Sequence, residues 1–344
     1  MKEIRINRNE AEQRADKFLR RYLPEAGSGF LYKQMRKKNI VLNGKKMDGK
    51  ELLQEGDRIR IFFSDETLAK FAGRQTAEND RTETENAEQS KQASDPVKKL
   101  AEQISSMIIY EDADAAILNK PAGVLSQASG KGEISLVEGF RQYLCDKGEL
   151  TEESLRLYAP SVVNRLDRNT SGIILAAKTL PAARELSEKL RERTISKYYL
   201  AAAEGQIRDA QDCCAWLLKD TQTNKVHLYS EPVEGASPVH TAWKPLRYTE
   251  LMGSSCTLLE VDLITGKTHQ IRSHLAFHGH PILGDVKYGS KTLNEQLRSR
   301  YGLRRQFLHA YRVEFPDMQR LKQLSGKTFT ADVPKDLKKI HLRF

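Results

Sequence analysis

The sequence predicts an α+β protein in which a small N-terminal unit precedes a larger one, a mainly antiparallel mixed sheet with flanking helices. Near the start of the chain, apolar residues recur at helical spacing and then alternate as they do in strands. A polar stretch, Gly73 to Pro96, has almost no apolar residues and separates the two units. Beyond it, alternating segments broken by short turns outnumber helical ones, which is typical of a sheet with helices packed on it.

The composition favours a globular protein with a polyanionic partner. A chain of 344 residues can form two domains, and 39% hydrophobic residues suffice for a core. The formal net charge of +10 favours nucleic acid as the partner, with a basic solubilising surface as the alternative. No apolar run approaches the roughly 20 residues that span a bilayer, and the N-terminus has no hydrophobic signal core. We therefore expect a cytoplasmic protein with no membrane partner, and a monomer by default.

Signals for a bound metal or nucleotide cofactor are weak. The four cysteines form no CxxC pair or metal-ligand cluster, so we expect reduced thiols. The chain has no Gly-rich phosphate loop of the GxGxxG or GxxxxGK[ST] type. We expect neither a metal nor a nucleotide cofactor.

The N-terminal unit is predicted to contain two short helices followed by a small sheet. The segment "AEQRADKFLRRYLPEAG" has apolar residues at helical spacing, and Pro24 and Gly27 end that helix. The segment "SGFLYKQMRKK" follows as a second helix with Ser28 as its cap. After it, "IVLNGKKMDGKELLQEGDRIRIFF" alternates like strands broken by Asn-Gly and Asp-Gly turns.

The second helix carries four basic residues. Lys33, Arg36, Lys37 and Lys38 lie within or just after it. Such a set forms either a solvated helix face or a face that binds phosphates.

In the C-terminal unit, one segment has three charged residues shortly before an apolar run. In "NRLDRNTSGIILAAKT", Arg165 and Arg168 flank Asp167, and a buried apolar strand follows. If the segment is extended, Arg165 and Asp167 share a face and Arg168 points away. Asp167 then belongs to a structural ion pair, which is the commoner case, or is a reactive carboxylate held ionised by an arginine.

A second concentration of polar residues is "TGKTHQIRSHLAFHGHP", Thr265 to Pro281. Its histidines have no acidic ligand motif beside them, so metal binding is weakly indicated. Alternating polar residues favour a strand that lines a cleft, from which Arg272 can pair with Asp167. In "KYYLA", Tyr199 can stack on a base, whereas Tyr198 is expected in the core.

These motifs resemble the RluA family of RNA pseudouridine synthases from about residue 108 to the end. "YEDADAAILNKPAGVLSQ", "NRLDRNTSGIILAAKT", "SKYYLAAAEG", "LITGKTHQIRSHLAFHGHPILGDVKYG" and "FLHAYRVEF" stand in the family's order. Residues 1–64 resemble the S4-like RNA-binding domain through "RADKFLRRYL", "GFLYKQMRKKNIVLNGKKM" and "LLQEGDRIRI". The resemblance implies an S4-like domain over 1–64 and a catalytic domain with the pseudouridine synthase fold over 105–344, and the polar composition between them predicts a flexible linker over 65–104.

The resemblance also implies a reaction and residue roles. The family isomerises uridine to pseudouridine without a cofactor, and the S4-like domain is similar to the branch that modifies large-subunit ribosomal RNA. Asp167 matches the catalytic aspartate, Tyr199 the active-site tyrosine, and Arg272 the arginine that pairs with the aspartate. Arg165 matches the residue that fills the gap left by the flipped nucleotide, and the basic second helix is expected to bind RNA.

Two positions depart from the family pattern. Asn164 stands where the family usually has histidine, and Lys267 stands where it usually has arginine. Neither change affects Asp167, Tyr199 or Arg272. A transfer-RNA-directed synthase and an inactive RNA-binding or ribosome-assembly factor remain the alternatives.

Overall fold

Two β-sheets, each covered by its own helices, organise the residues that the computed structural model describes, which are 1–72, 96–130, 132–220 and 225–340. One sheet belongs to the N-terminal unit and the other to the C-terminal unit. The predicted α+β class is confirmed.

The N-terminal unit is a four-stranded sheet with two helices. Its elements are β1 (Lys2–Arg5), α1 (Ala15–Tyr22), α2 (Ser28–Arg36), β2 (Ile40–Leu42), β3 (Lys45–Lys46) and β4 (Arg58–Ile61). The sheet order is β1-β4-β2-β3, with antiparallel pairing throughout.

Helical spacing accounts for which faces of these two helices are buried. Phe18 and Leu19 of α1 and Leu31 and Met35 of α2 are buried in one core. Residues four apart lie on the same face of a helix, so the remaining face of α2 is free to carry charge. Ser28 does not cap α2, because the cap position is Gly27 and Ser28 is the first helical residue.

Both ends of the predicted linker are helical. Helix α3 (Asp65–Phe71) is capped by Ser64, whose side chain accepts a hydrogen bond from the Thr67 amide. Helix α4 (Pro96–Met107) has a buried face that includes Leu100 and Ile104. A flexible linker over 65–104 is therefore wrong at its ends, since capping and an amphipathic pattern suffice to order them. Residues 73–95 lie outside the described residues.

The C-terminal unit has one large sheet. Its elements are β5 (Ile108–Glu111), β6 (Ala115–Lys120), α5 (Leu136–Asp146), α6 (Glu152–Leu157), β7 (Ser161–Val162), β8 (Ser171–Ala177), α7 (Leu180–Arg191), β9 (Ser196–Glu204), β10 (Gln211–Asp220), β11 (Lys225–Tyr229), β12 (Ser237–Leu251), β13 (Ser254–Leu263), α8 (Gln270–Phe277), α9 (Lys291–Tyr301), β14 (Leu308–Glu314), β15 (Thr328–Thr330) and α10 (Lys335–Lys338). The main order is β11-β10-β12-β13-β9-β14-β8-β6-β5. Among the described strands, β8 and β14 form the parallel pair, so the predicted mainly antiparallel sheet is confirmed.

Strand β8 is the buried strand that the apolar run predicted. All seven of its residues are buried. Because successive side chains point to opposite faces, Ile174 and Ala176 join the core beneath α4 and α5, and Ile173 and Leu175 join the core beneath α7. The loop before β8 is thereby anchored to the middle of the protein.

The N-terminal unit packs against the C-terminal one. Leu157, at the end of α6, is buried in the N-terminal core, and Arg21 of α1 donates a hydrogen bond to its carbonyl oxygen at 2.9 Å. Arg8 pairs with Asp114 at 2.5 Å.

Candidate active site

Asp167 lies in the loop between β7 and β8, and not in a strand. Arg165 and Asp167 therefore do not share the face of a strand, as an extended segment would have required. Neither neighbouring arginine pairs with Asp167: Arg168 lies 3.8 Å from Glu133, and Arg165 is exposed. The partner of Asp167 comes from a distant part of the chain.

Three residues at and just after the end of β6 hold this loop. Ser126 Oγ donates to the Leu166 carbonyl at 2.8 Å and accepts from the Leu166 amide at 3.0 Å. The Gly123 amide and the buried Lys120 ammonium both donate to the Arg168 carbonyl, at 2.8 and 3.1 Å. The segment "KPAGVLS" thus fixes the backbone on both sides of Asp167. The sequence did not predict that this segment contacts the site.

The Thr-Ser-Gly turn after Asp167 packs closely against β14. Gly172 has φ +117°, and a Cβ there would lie 2.2 Å from the Ala310 carbonyl oxygen. Thr170 Oγ1 accepts a hydrogen bond from Gln306 at 3.1 Å. Position 172 requires glycine, because no side chain fits there and the backbone φ is positive.

Asn164 has a structural role in the same loop. Its Oδ1 accepts from the Leu175 amide at 2.7 Å, and its Nδ2 lies 3.4 Å from the Ile173 carbonyl. The side chain therefore satisfies backbone groups of β8 and fixes the entry to the Asp167 loop. An amide side chain can accept and donate these hydrogen bonds at once, and it does not need to gain or lose a proton to do so.

Arg272 lies on α8, where the sequence reading predicted a strand. That prediction is wrong because Gln270 to Leu275 are all buried, so the helix shows no polar face. Specific partners satisfy its polar side chains. Gln270 Nε2 donates to Thr241 Oγ1 at 2.9 Å, and His274 Nδ1 lies 3.0 Å from the same atom.

Arg272 is held between two carboxylates. Its Nη1 donates to Asp167 Oδ2 at 2.8 Å, and its Nε and Nη2 donate to Asp285 at 2.7 and 2.9 Å. The Asp285 side chain is fully buried, and that of Asp167 is 27% exposed. The predicted pairing of Arg272 with Asp167 is present, with Asp285 as a second partner that sequence reasoning missed.

The pKa directions show that Arg272 and Asp285 stabilise each other's charges. Burial lowers the pKa of Arg272, but hydrogen bonds and attraction to Asp285 and Asp167 outweigh burial and leave that pKa above its ordinary value. Burial raises the pKa of Asp285, yet its bonds to Arg272 prevail and hold the pKa below the usual range. The site therefore contains a buried arginine in a fixed position, and the more exposed Asp167 is bound to it on the side nearer to solvent.

His269 and Tyr288 complete the surroundings of Asp167. His269 Nε2 lies 3.8 Å from Asp167 Oδ2, and its Nδ1 lies 3.0 Å from the Tyr288 hydroxyl. Burial lowers the pKa of His269, against the opposing charge of Asp167, so the ring is neutral near pH 7. The Tyr288 ring also lies 5.3 Å from the Arg272 guanidinium.

Tyr199 lies on β9 and lines the same cavity as Asp167. The cavity has a volume of about 50 Å³, and Arg165, Lys267 and Arg272 also line it. Tyr199 is 4% exposed, and burial raises its pKa, with the charge of Asp167 adding to the effect. Its hydroxyl therefore stays protonated at physiological pH.

The structure brings four of the predicted residues together and leaves four elsewhere. Asp167, Tyr199, Arg272 and Arg165 share the cavity. The other four are exposed at the end of α2 in the N-terminal unit and do not line that cavity: Lys33, Arg36, Lys37 and Lys38.

Sequence reasoning missed Asp285 and Tyr288 although both stand in "PILGDVKYG". An aspartate inside an apolar, glycine-flanked run was the available signal. Within the described ranges, no group of three or more His, Cys, Asp or Glu residues could hold a metal ion. In the same ranges, no helix is long and apolar enough to cross a membrane.

Comparisons with known proteins agree on one family. The sequence profile of the family described as RNA pseudouridylate synthase matches residues 114–277. The protein named ribosomal large subunit pseudouridine synthase C in Salmonella typhi is 32% identical over 317 residues, which cover 92% of this chain and 88% of the relative. The protein of that name in Escherichia coli gives the same values, and the one in Vibrio parahaemolyticus is 31% identical over 312 residues, covering 91% of this chain and 87% of the relative.

The fold is also found in a solved structure. Human RNA Pseudouridylate Synthase Domain Containing 4 superposes with a TM-score of 0.56 and 21% identity, over 71% of this chain and 95% of that one. At this identity the likeness concerns the fold alone.

Proposed function

The chain belongs to the RNA pseudouridylate synthase family, and on that premise we propose that it isomerises uridine to pseudouridine in large-subunit ribosomal RNA, with Asp167 as the reacting carboxylate. The observation that carries this proposal is the placement of Asp167. Its carboxylate is partly open to solvent, faces a cavity with Tyr199, and is bound from behind by the buried Arg272.

The reaction needs no redox partner or added atom. The bond between the ribose C1′ and the uracil N1 breaks, and a bond between C1′ and C5 forms. N1 gains a proton and the C5 proton leaves, so the atoms balance. We propose that Asp167 promotes the glycosidic cleavage and that no cofactor takes part.

Tyr199 suits the removal of the C5 proton and the binding of the ring. Its aromatic face can stack on a uracil, and its hydroxyl is kept neutral by burial. A neutral hydroxyl beside a carboxylate can relay a proton without adding a second negative charge to the cavity.

Arg165 suits the space left by the extruded nucleotide. Removing a uridine from its stack costs a few kcal/mol, and a guanidinium that stacks and bonds phosphate can offset part of that cost. Arg165 is exposed at the rim of the cavity, where such a contact is possible.

The basic end of α2 is proposed as a second RNA contact. Lys33, Arg36, Lys37 and Lys38 are all exposed, and the buried face of α2 leaves them on one side of the N-terminal unit. Because Leu157 is buried in the N-terminal core, substitution tests this contact better than deletion of residues 1–64.

The matched test uses two pairs of adjacent exposed lysines. Lys37→Gln with Lys38→Gln should reduce the slope of log affinity against log salt by about 0.7–0.9 per lost phosphate contact. Lys98→Gln with Lys99→Gln, on α4, removes the same charge and should leave the slope unchanged. Equal slopes for both double variants would contradict an RNA contact at α2.

The relatives' names point to ribosomal RNA as the substrate, and we propose it here with a cytoplasmic location. The purified chain is incubated with in vitro transcripts, which start without pseudouridine, and the products are digested to nucleosides. Pseudouridine should form in the large-subunit transcript and not in transfer RNA transcripts. Formation in transfer RNA alone would overturn the substrate, and formation in neither would overturn the activity.

A further inference from the structure

A large cavity adjoins the candidate active site on the side of α7 and β9. Its volume is about 580 Å³, against about 50 Å³ for the catalytic cavity. The two cavities share Arg165, Tyr199, Leu263 and Lys267 in their linings. The larger cavity is therefore continuous with the cavity that contains Asp167, and an RNA strand whose target nucleotide enters the smaller cavity can extend over the larger one.

The lining of this larger cavity carries charge of one sign. Among the described residues that line it there is no carboxylate, and there are five basic residues: Arg165, Arg191, Arg193, Lys197 and Lys267. A concave surface of one sign focuses its potential and attracts an opposite charge. The complementary ligand is a polyanion.

Lys197 differs from other poorly exposed lysines of the protein. Lys120 donates to three carbonyl oxygens, and Lys178 pairs with Glu111. Lys197 is half-buried, yet in the described part of the chain its ammonium has no hydrogen bond or ion pair. Burial lowers its pKa, with Asp262 opposing and Arg193 adding to the effect. A half-buried ammonium that makes no hydrogen bond to the described residues has three donors for a ligand.

Arg193 occupies a position where glycine is the usual residue. It follows α7 with φ 62°, in the left-handed region, which costs a non-glycine residue about 1 kcal/mol. The described residues offer its guanidinium no hydrogen bond or ion pair. An arginine in this strained conformation beside the basic cavity is explained if its charge binds a ligand there.

The geometry of β9 relates this cavity to the target nucleotide. Lys197 and Tyr199 are two residues apart on one strand, so they share a face and lie about 6.5 Å apart. That separation is comparable to one nucleotide of an extended strand. If the uracil stacks at Tyr199, the next phosphate along the strand reaches Lys197.

We propose that Arg193 and Lys197 form a binding site for the backbone phosphate next to the target uridine. This inference rests on the proposed function and adds to it a fixed contact to the substrate strand. The contact determines how the flanking nucleotide is positioned, while Asp167 and Tyr199 act on the base and ribose.

The test compares salt dependence and kinetics of single variants on an in vitro transcript of large-subunit ribosomal RNA. Because both side chains bind the same phosphate, the double variant should reduce the salt slope of RNA affinity by about 0.7, and Lys197→Met and Arg193→Gln should each reduce it by part of that amount. KM should rise about tenfold for each, the equivalent of one charge-assisted hydrogen bond. The kcat at saturating RNA should change less than about threefold, and Lys197→Arg should restore the slope.

Two further variants separate charge from structure. Lys189→Gln removes one charge from α7 outside the cavity, where Lys189 pairs with Glu192, and should leave slope and KM unchanged. Arg193→Gly relieves the left-handed backbone, so it should stabilise the protein while still reducing the slope. A purely structural position would lose nothing with glycine.

The outcomes distinguish a failure of the phosphate site from a failure of the proposed function. An unchanged slope in the double variant, with pseudouridine still formed by the wild type, overturns the phosphate site and leaves the activity standing. If the variants reduce the slope but the wild type forms no pseudouridine, the phosphate contact is supported and the proposed function is overturned. Wild-type protein that does not bind the transcript overturns both.

Discussion

Replacing Asp285 with asparagine should destabilise the C-terminal unit far more than a surface ion-pair change does. Asp285 is fully buried and receives two hydrogen bonds from Arg272, at 2.7 and 2.9 Å. Its Oδ1 also accepts from the backbone amides of Lys287 and Tyr288, at 2.9 and 3.2 Å. Asparagine keeps the shape but loses the charge and one acceptor.

The expected magnitude follows from burial. Removing one partner of a buried, hydrogen-bonded ion pair costs about 3–5 kcal/mol. Because asparagine retains one carbonyl acceptor and Arg272 keeps Asp167, we expect the lower end, about 3 kcal/mol. This loss is a large fraction of the roughly 5–15 kcal/mol that stabilises a domain.

A matched control is available at Arg305. Its Nε and Nη2 bond Asp336 at 2.6 and 3.0 Å, the same two-bond arrangement. The Asp336 side chain is 46% exposed, so solvent screens the pair and Asp336→Asn should cost about 1 kcal/mol or less. Burial is thus the main difference between the two substitutions.

The assay is urea unfolding followed by tryptophan fluorescence. The two tryptophans, Trp216 and Trp243, both lie in the large sheet, so the signal reports the C-terminal unit. Equal losses for Asp285→Asn and Asp336→Asn would refute the reasoning. At urea concentrations where Asp285→Asn is still folded, the substitution should also lower kcat about 100-fold, because Arg272 is no longer held in position.

The pH dependence has a definite sign. The pKa of Asp285 is depressed because the bonds to Arg272 outweigh burial. Such a group contributes stability that is fully present above the unfolded pKa, about 3.9, and that is lost as pH falls through the folded pKa. The stability difference between wild type and Asp285→Asn should therefore shrink below about pH 4, and a difference that grows there would contradict this account.

Three further substitutions test the surroundings of Asp167. Gly172→Ala should give little soluble protein, because its Cβ would lie 2.2 Å from the Ala310 carbonyl oxygen; a normally expressed variant with wild-type circular dichroism would contradict this. Asn164→Ala should lower the free energy of unfolding by about 1–3 kcal/mol, since the buried Leu175 amide loses its acceptor; an unchanged urea midpoint would count against it. Tyr199→Phe should lower kcat at least about 100-fold with little change in KM; an unchanged kcat would limit Tyr199 to stacking.

The elements with one buried face or a continuous apolar run were predictable from sequence. The run before Lys178 predicted β8 because both faces of that strand are buried, and Phe18 and Leu19 marked α1 by their helical spacing. In these segments local pattern and tertiary burial agree. The same holds for the amphipathic α7.

Helix α8 and the ends of the linker were not predictable by the same rules. Polar side chains of α8, such as Gln270 and Arg272, are buried and satisfied by distant partners, so periodicity carries no signal. Helix α4 buries only a few residues, Leu100 and Ile104 among them, within a chain segment of polar composition. A composition average over the whole linker conceals such a short amphipathic segment.

The candidate site was predictable only where a motif carried it. The family resemblance selected Asp167, Tyr199 and Arg272, and the structure brings them to one cavity. Asp285 and Ser126 were missed because their roles depend on contacts across 13 and 40 residues of sequence. A single sequence can mark such a residue as unusual for its surroundings, but it does not show which distant residue it contacts.

Tritium release from RNA labelled at uridine C5 tests the central claim most directly. The wild type and Asp167→Asn are compared on the large-subunit transcript, and RNA binding is measured for both. The account predicts release by the wild type and none by Asp167→Asn, with RNA affinity within about threefold because the substitution removes no phosphate contact. Release by Asp167→Asn at the wild-type rate would show that this carboxylate is not the reacting group.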